Sequence, residues 1–237
     1  MPAYNEERLI GRTLASLPEF VDLAVVIDDA SADATGEAAR RAGGDRLRLS
    51  RHAQNRGVGA AIATGYRLAR AEGADLIAVM AGDAQMNPAD LPSLLAPLLS
   101  GEADYAKGNR LRHPRAADMP RARRLGTQAL GWLTAHATGL SGLGDSQCGY
   151  TAIRGSLVDR LPLDQLYPRY GYPNDLLSLI AQARGRVAEV PVQPVYADEQ
   201  SGLRPWHVGV ILGLVGRAAG RRVMGLRFAP TGRGPLD

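Results

Sequence analysis

Residues 23–31, Leu-Ala-Val-Val-Ile-Asp-Asp-Ala-Ser, join a continuous apolar run to two adjacent acids. An unbroken apolar run of this length is typical of a strand that is buried on both faces of a parallel sheet. Carboxylates at the end of a buried strand are costly unless they bind something. We therefore expect an α/β sheet that carries a polar binding site at its carboxyl edge.

The same alternation of apolar run and polar turn extends outward from that stretch. Further strands are predicted at 47–51, 76–80, 105–107, 147–153 and, at a sheet edge, 187–196. Helices are predicted at 5–17, 33–41, 59–71, from 88 onward, 120–138, 175–183 and 206–223. Asn5 and Asn174 are the predicted caps of their helices. This order predicts a doubly wound, mostly parallel sheet with helices on both faces.

The first polar stretch, Pro2–Glu7, has no apolar run before it. A loop of this kind is expected to follow a strand, so we predict that the first strand is truncated. The missing side chains would each have contributed roughly 1.5–3 kcal/mol on burial.

The composition limits the classes of partner. The chain has 237 residues, of which 45% are hydrophobic, and carries 28 basic against 24 acidic side chains, a formal charge of +4. Aromatic residues make up only 5%, so the basic, aromatic surface of a nucleic-acid-binding protein is not expected. Small molecules that carry phosphate, or an anionic membrane surface, suit the balance better.

One cysteine, Cys148, excludes an intrachain disulfide and fits a reducing compartment. The apolar stretch 208–216 is far shorter than a bilayer requires. We predict a cytoplasmic protein, with peripheral attachment to the cytoplasmic membrane as a further expectation. Residues 1–204 are predicted to form one domain, and residues 205–237 a C-terminal amphipathic helical appendage.

Five polar signatures follow one another at the predicted strand ends. They are Pro2-Ala3-Tyr4-Asn5-Glu6-Glu7, Asp28-Asp29-Ala30-Ser31, Asn55-Arg56-Gly57-Val58-Gly59, Gly82-Asp83-Ala84-Gln85 and Gly108-Asn109-Arg110. In this order they resemble the nucleotide-binding half of a family 2 glycosyltransferase with the GT-A fold. The later stretches 145–150 (Asp-Ser-Gln-Cys-Gly-Tyr) and 201–206 (Ser-Gly-Leu-Arg-Pro-Trp) are similar to the branch that uses dolichyl or polyprenyl phosphate. The resemblance is strongest over 2–110 and continues to about residue 204.

The resemblance implies a nucleotide-sugar donor. Tyr4 offers a flat face to a base, and Glu6 offers acceptors for ribose hydroxyls. The residues assigned to nucleotide binding are Pro2, Ala3, Tyr4, Glu6, Asp28, Asp29, Gly57 and Asp83. The alternatives are a plain helix start for the first stretch and ordinary turn chemistry for the second.

The resemblance also implies a divalent cation on the donor diphosphate. The family pattern is Asp-x-Asp-x-Gln, and this chain has Ala81 at the first acid. Asp83 and Gln85 are left as ligands for Mg²⁺ or Mn²⁺, which keep several waters or phosphate oxygens in their shell. The alternative is that Asp83 merely starts the next helix.

Catalysis and acceptor binding are assigned to later residues. Arg110 would stabilise charge on the leaving diphosphate. Asp175 is the candidate general base if the acceptor is a hydroxyl, and a helix cap otherwise. Arg124, Gln147 and Arg204 are the candidate acceptor-binding residues. A lipid phosphate needs cations rather than a base, since its second pKa is about 6.

Three functions stay open at this point. The first is inverting transfer of a sugar from a nucleotide diphosphate to a polyprenyl or dolichyl phosphate. The second is family 2 transfer to a sugar hydroxyl. The third, suggested by Ala81 and the short first strand, is a sugar-nucleotide-binding module without catalysis. The helix from Trp206 is expected to lie on an anionic membrane, to pack on the core or to form a homodimer.

Overall fold

The computed structural model describes residues 1–194 and 205–225 of the chain. Within these ranges the strands form two sheets, with the orders β1-β2-β3 and β4-β6-β5-β7. The strands are β1 (Pro2–Ala3), β2 (Ala24–Asp28), β3 (Leu47–Arg51), β4 (Leu76–Val79), β5 (Tyr105–Asn109), β6 (Thr151–Arg154) and β7 (Val187–Pro191).

Among the described residues, three of the five strand pairs are parallel. β2 pairs in parallel with β1 and β3, and β5 pairs in parallel with β7. β6 is the exception, because it lies antiparallel between β4 and β5. The predicted α/β sheet is confirmed, and β7 lies at its edge as expected. β1 contains only two residues.

The helices cover the sheets and mostly follow the predicted ranges. They are α1 (Ile10–Ala15), α2 (Thr35–Gly43), α3 (Val58–Ala71), α4 (Leu91–Leu99), α5 (Arg121–Thr138), α6 (Gly155–Val158), α7 (Tyr172–Gln182) and α8 (Pro205–Val223). The side chains of α7 are buried along almost its whole length, so this helix is the centre of the largest core cluster.

The two predicted asparagine caps are wrong. Asn5 has a φ of 57° and lies five residues before α1, where its side chain accepts a hydrogen bond from the backbone of Ala32 instead. Asn174 lies inside the first turn of α7 and accepts hydrogen bonds from Thr134 and Gln147. In both cases the side-chain amide could cap a helix, but it forms hydrogen bonds to residues that are distant in the sequence.

α8 packs on the protein through α5 and α7. Ile211, Val215 and Ala218 are buried against Ala137 of α5, so the alternative that this helix packs on the core is confirmed for these residues. Among the described residues, no helix has both the length and the apolar character needed to cross a bilayer.

Candidate active site

The polar signatures meet along one edge of the molecule, where the strands of the two sheets end. Gly82, which follows β4, donates its backbone N–H to Pro2 O at 3.1 Å. A Cβ on Gly82 would lie 3.3 Å from Cβ of Ala3. The same Cβ would lie 2.9 Å from Cδ1 of Ile10. The loop after β4 therefore lies directly beside the end of β1, and a larger residue at Gly82 would crowd this approach.

The two loops that follow β1 and β2 are tied together by side chains. Ser31 Oγ accepts from the N–H of Asn5 at 3.0 Å, and Thr35 Oγ1 accepts from that of Glu6 at 2.7 Å. Asp33 accepts from the N–H of Glu7. Asp33 and Thr35 thus have a structural role in this contact. The ring of Tyr4 stands on this platform with 48% of its surface exposed, so it can offer a face to a ligand.

Asp28 is fully buried and stabilises the turn that follows it. Its carboxylate accepts from Ser31 N at 2.8 Å and from the Arg51 guanidinium at 2.7 Å. Arg51 also donates to Ser31 O. A buried carboxylate with such partners positions the loop around Tyr4, and the desolvation cost is offset by these bonds.

Asp29 lies in a second buried network. His52 Nδ1 lies 2.6 Å from Asp29 Oδ1, and His52 Nε2 lies 3.0 Å from Thr64 Oγ1. The other bonds to Asp29 come from the backbone N–H groups of Arg56 and Gly57, at 2.9 and 2.7 Å. Asp29 therefore fixes the glycine loop before α3. Sequence reasoning missed His52, although it follows a predicted strand directly, as the acids do.

Gly57 is needed where this loop meets residues 166–169. Its φ is 94°, and a Cβ here would lie 2.5 Å from Pro168 O. Pro168 O also accepts from the backbone N–H of Ala60 at the start of α3. The loop before α7 therefore packs directly against the glycine loop that Asp29 stabilises.

Asp83 and Gln85 lie on the turn after β4. Asp83 Oδ1 accepts from the N–H of Gln85 at 3.0 Å, and Ala84 between them has a φ of 56°. Both side chains are half-buried. One carboxylate and one amide oxygen are hard donors that suit Mg²⁺ or Mn²⁺. No group of three or more His, Cys, Asp or Glu residues that could hold a metal ion occurs in the described ranges. An ion bound by Asp83 and Gln85 would therefore need further oxygens from water or from a ligand to complete its shell.

Arg110 follows β5 and is held rigidly by Asp145. The guanidinium makes two parallel bonds to this carboxylate, with Nε 2.8 Å from Oδ2 and the terminal nitrogen 3.0 Å from Oδ1. Burial opposes ionisation of Asp145, but Arg110 and Lys107 outweigh it and lower the pKa of the carboxyl. The Arg110 side chain keeps 19% of its surface exposed. A cation fixed in this way is suited to a phosphate.

The loop that carries Asp145 is held from below by Glu189 and Lys107. Glu189 Oε1 accepts from the N–H groups of Gly144 and Asp145, at 2.8 and 3.0 Å. Lys107 is completely buried and donates to Cys148 O. Burial lowers the pKa of Lys107 and raises that of the Cys148 thiol, which agrees with Cys148 as a packing residue. Neither Lys107 nor Glu189 was predicted as part of the site.

Asp175 does not present a free carboxylate. It is fully buried, with Arg217 2.5 Å and Arg221 3.0 Å from Oδ1 and the N–H of Tyr167 2.8 Å from Oδ2. Both arginines come from α8. The N-terminal turn of α7 and the loop before it are therefore clamped by the C-terminal helix.

The acceptor-binding residues are spread more widely. Gln147 donates to Ser146 Oγ and to Asn174, between the site loop and α7. Arg124 is in the first turn of α5. Arg204 lies outside the described residues. The roles of these three side chains stay predictions.

Comparison with known proteins agrees with this geometry. The family model "Glycosyl transferase family 2" matches residues 1–154. An undecaprenyl-phosphate mannosyltransferase of Micrococcus luteus is 30% identical over 218 residues, which cover 89% of this chain and 87% of that protein. A UDP-N-acetylglucosamine–dolichyl-phosphate N-acetylglucosaminyltransferase of Methanococcus voltae is 26% identical over 214 residues, 84% of this chain and 85% of that one.

The fold is also found among solved structures. Glucosyl-3-phosphoglycerate synthase from Mycobacterium tuberculosis, in complex with phosphoglyceric acid, superposes with a TM-score of 0.71 at 22% identity. The match covers 100% of this chain and 81% of that one. The same enzyme has been solved with Mn²⁺, uridine diphosphate and glucosyl-3-phosphoglycerate, with a TM-score of 0.67. From the family match and the level of identity to its relatives, the chain belongs to glycosyl transferase family 2.

Proposed function

We propose that this chain is an inverting glycosyltransferase that moves a sugar from a nucleotide-diphosphate sugar to a polyprenyl or dolichyl phosphate. The observation that carries the choice of acceptor is the position of Asp175. A hydroxyl acceptor needs a base, and the candidate base is buried in an ion cluster with Arg217 and Arg221. A phosphate oxygen is already ionised and needs none. The two relatives named for polyprenyl-type phosphates support the same choice.

The donor side uses the platform at the ends of β1 and β2. The half-exposed ring of Tyr4 is the proposed surface for the base, and Glu6 the proposed partner of the ribose. Asp28 and Asp29 act beneath this surface, because their carboxylates hold the loops rather than face solvent. Pro2 and Ala3 contribute through their backbone positions in β1. The nucleotide-binding roles of these residues are proposals.

The diphosphate side uses the loop after β4 and Arg110. Asp83 and Gln85 are the residues that would hold Mg²⁺ or Mn²⁺ next to the diphosphate, and the ion would supply positive charge there. The Mn²⁺ complex of the fold relative supports the use of a divalent cation. Arg110, whose guanidinium is oriented by Asp145, is the residue that we propose to stabilise charge on the leaving diphosphate.

In the reaction, an oxygen of the acceptor phosphate forms a bond to the anomeric carbon from the face opposite the leaving group. The bond from that carbon to the nucleoside diphosphate breaks, and its electron pair leaves with the diphosphate. Arg124 is the proposed partner of the acceptor phosphate. Arg204 shares this proposed role.

The test is transfer of a labelled sugar. The purified chain is incubated with a panel of nucleotide-diphosphate sugars, with Mg²⁺ or Mn²⁺, and with a short polyprenyl phosphate in detergent. The proposal predicts label in the extracted lipid, and none when the matching polyprenol replaces the phosphate. Transfer only to sugar hydroxyls would support the second function instead. Tight nucleotide binding without any turnover would identify a binding module.

We also propose that the α5–α8 surface attaches the enzyme to an anionic membrane. Exposed large apolar side chains lie on these two packed helices: Leu125 and Trp132 on α5, and Val208, Leu212 and Val223 on α8. Arg222 is an exposed cation on α8, and its guanidinium also donates to His136 O. Arg121 and Arg123 are exposed cations on α5. Arg217 and Arg221 form ion pairs with Asp175, so they contribute less positive charge to this surface.

Sedimentation with anionic vesicles tests the attachment. Because α8 neutralises buried Asp175, deleting it would disturb the fold, and point variants are the better tool. Leu212→Asp with Trp132→Asp should reduce the vesicle-bound fraction. Leu99→Asp, at a side chain that is 70% exposed elsewhere, should leave it unchanged. Equal binding of all variants would contradict the attachment.

A further inference from the structure

Glu189 is a buried acid to which the proposed transfer reaction assigns no part. It lies on β7 beside Lys107 of β5, because the two residues are register partners in this parallel strand pair. Its side chain is only 3% exposed, and Arg112 approaches it to 3.9 Å. A carboxylate buried to this extent is costly unless its oxygens are bonded, so its bonds identify its role.

The carboxylate of Glu189 joins the two loops that carry Arg110 and its partner Asp145. Oε1 accepts from the N–H groups of Gly144 and Asp145, at 2.8 and 3.0 Å. Oε2 accepts from Nδ2 of Asn109, the residue before Arg110. The side chain of Asp145 in turn holds Arg110 by two parallel bonds. The orientation of Arg110 therefore depends on Glu189 through the backbone of Asp145.

The loop that carries Asp145 is closely packed. A Cβ on Gly144 would lie 2.9 Å from Asn109 Nδ2 and 3.4 Å from Glu189 Oε2. A Cβ on Gly131 of α5 would lie 2.1 Å from Gly144 O. The loop thus lies directly against α5 and against the ends of β5 and β7. Close packing transmits displacements, so a changed contact at Glu189 reaches Asp145.

A carboxylate at position 189 satisfies the donors that meet there, whereas an amide does not. An amide would present an NH₂ group either to the N–H groups of residues 144 and 145 or to Nδ2 of Asn109. Asn109 cannot turn its own oxygen toward position 189 without losing a bond, because that oxygen accepts from Leu111 N at 2.9 Å. Glu189→Gln therefore leaves buried donors facing each other.

We propose that Glu189 is a positioning residue, which fixes Asp145 so that Arg110 keeps the orientation needed to stabilise charge on the leaving diphosphate. This inference rests on the proposed function, and Glu189 acts through Asp145 rather than by contact with a substrate. Charge on the leaving group develops in the transition state, so the loss falls on kcat. Glu189→Gln should lower kcat by roughly tenfold or more, while the KM for the donor changes by less than about threefold.

The hydrogen-bond pattern provides a rescue variant. When Asn109→Asp is added to Glu189→Gln, the carboxylate at position 109 accepts from the amide at position 189 and from Leu111 N, so one buried charge and all the bonds are kept. This double variant should recover most of the lost kcat. The matched control is Asp104→Asn, because Asp104 joins the opposite ends of β5 and β7 through Arg186. The control should leave kcat unchanged.

A second kinetic test asks whether Glu189 acts through Arg110. In an Arg110→Ala background, Glu189→Gln should lower kcat little further, because the residue that it positions is gone. A full additional loss would assign Glu189 an independent role and overturn the proposal. Glu189→Asp keeps the charge but shortens the side chain by one methylene, so it should reproduce the loss if Glu189→Gln does not fold.

A spectroscopic readout is independent of turnover. The Arg110 Nε–H, bound to Asp145 at 2.8 Å, should give a solvent-protected ¹⁵N–¹H resonance that is absent in Arg110→Ala. It should be lost in Glu189→Gln, return when Asn109→Asp is added, and persist in Asp104→Asn. Persistence in Glu189→Gln, an unchanged kcat in that variant, or failure of the rescue would overturn the proposal. A parent chain without turnover would contradict the proposed transferase, while the resonance would still decide whether Glu189 positions Arg110.

Discussion

Asp175 Oδ1 and the guanidinium of Arg217 lie 2.5 Å apart, although one belongs to α7 and the other to α8. Arg221 approaches the same oxygen at 3.0 Å, while Tyr167 N donates to the other oxygen. Tyr167 precedes Pro168, whose carbonyl binds the start of α3. The C-terminal helix is therefore connected, through one buried carboxylate, to the loop on which the proposed nucleotide site stands.

Removal of both arginines should destabilise the protein strongly. Arg217→Met with Arg221→Met leaves Asp175 buried without a counter-charge, which typically costs about 3–5 kcal/mol. Chemical denaturation measures this loss. Adding Asp175→Asn should restore most of the stability, since the charge is gone. Arg115→Met, in the exposed pair with Asp118, should cost less than about 1 kcal/mol. An unrescued loss would contradict the role of the charge.

His52 is expected to support nucleotide binding without touching the nucleotide. His52→Ala removes the ring from Asp29 and should cost about 1–3 kcal/mol of stability. The loosened glycine loop should also weaken nucleoside diphosphate binding by roughly tenfold, or about 1.4 kcal/mol. Calorimetry measures both effects. Thr64→Val keeps the bond between His52 and Asp29, so its affinity should be near that of the parent chain. The role fails if His52→Ala binds as tightly as Thr64→Val.

Alanine substitutions at Gly57 and Gly73 distinguish the stability cost of backbone strain from that of a lost loop contact. Both have positive φ values, 94° and 87°, but only at Gly57 would a Cβ meet other atoms, with Pro168 O at 2.5 Å. Gly57→Ala should cost about 2–4 kcal/mol. Gly73→Ala should cost about 1 kcal/mol, the backbone term alone. Equal costs in denaturation experiments would show that the contact with residues 166–169 is unimportant.

The sequence was sufficient to locate three strands of the two sheets. Residues 24–28, 47–51 and 76–79 are strands within one residue of the predicted bounds. The antiparallel direction of β6 was not predictable, because a buried strand has the same apolar composition in either direction. The asparagine caps failed for a related reason: the amides of Asn5 and Asn174 bond equally well to a distant loop.

The sequence predicted the position of the site loops more accurately than the roles of their individual side chains. The acids at 28, 29 and 83 do lie at strand ends beside β1. Whether a carboxylate faces a ligand or its own loop depends on tertiary partners such as Arg51, His52 and Arg217. These partners come from distant parts of the chain, and no local pattern marks them. Lys107 and Glu189 were not predicted as site residues for the same reason.

The central claim is that Asp83 and Gln85 hold a divalent cation against a bound diphosphate. Titration calorimetry of nucleoside diphosphates with and without Mn²⁺ tests it most directly, because two protein oxygens alone bind the ion weakly. If these residues hold the ion, Mn²⁺ should tighten the binding of one nucleotide. Asp83→Ala should abolish the Mn²⁺-dependent part of the affinity, and Asp164→Ala, at an exposed acid elsewhere, should retain it. Nucleotide affinity that does not change with Mn²⁺, or that is unaffected by Asp83→Ala, would show that these residues hold no such ion.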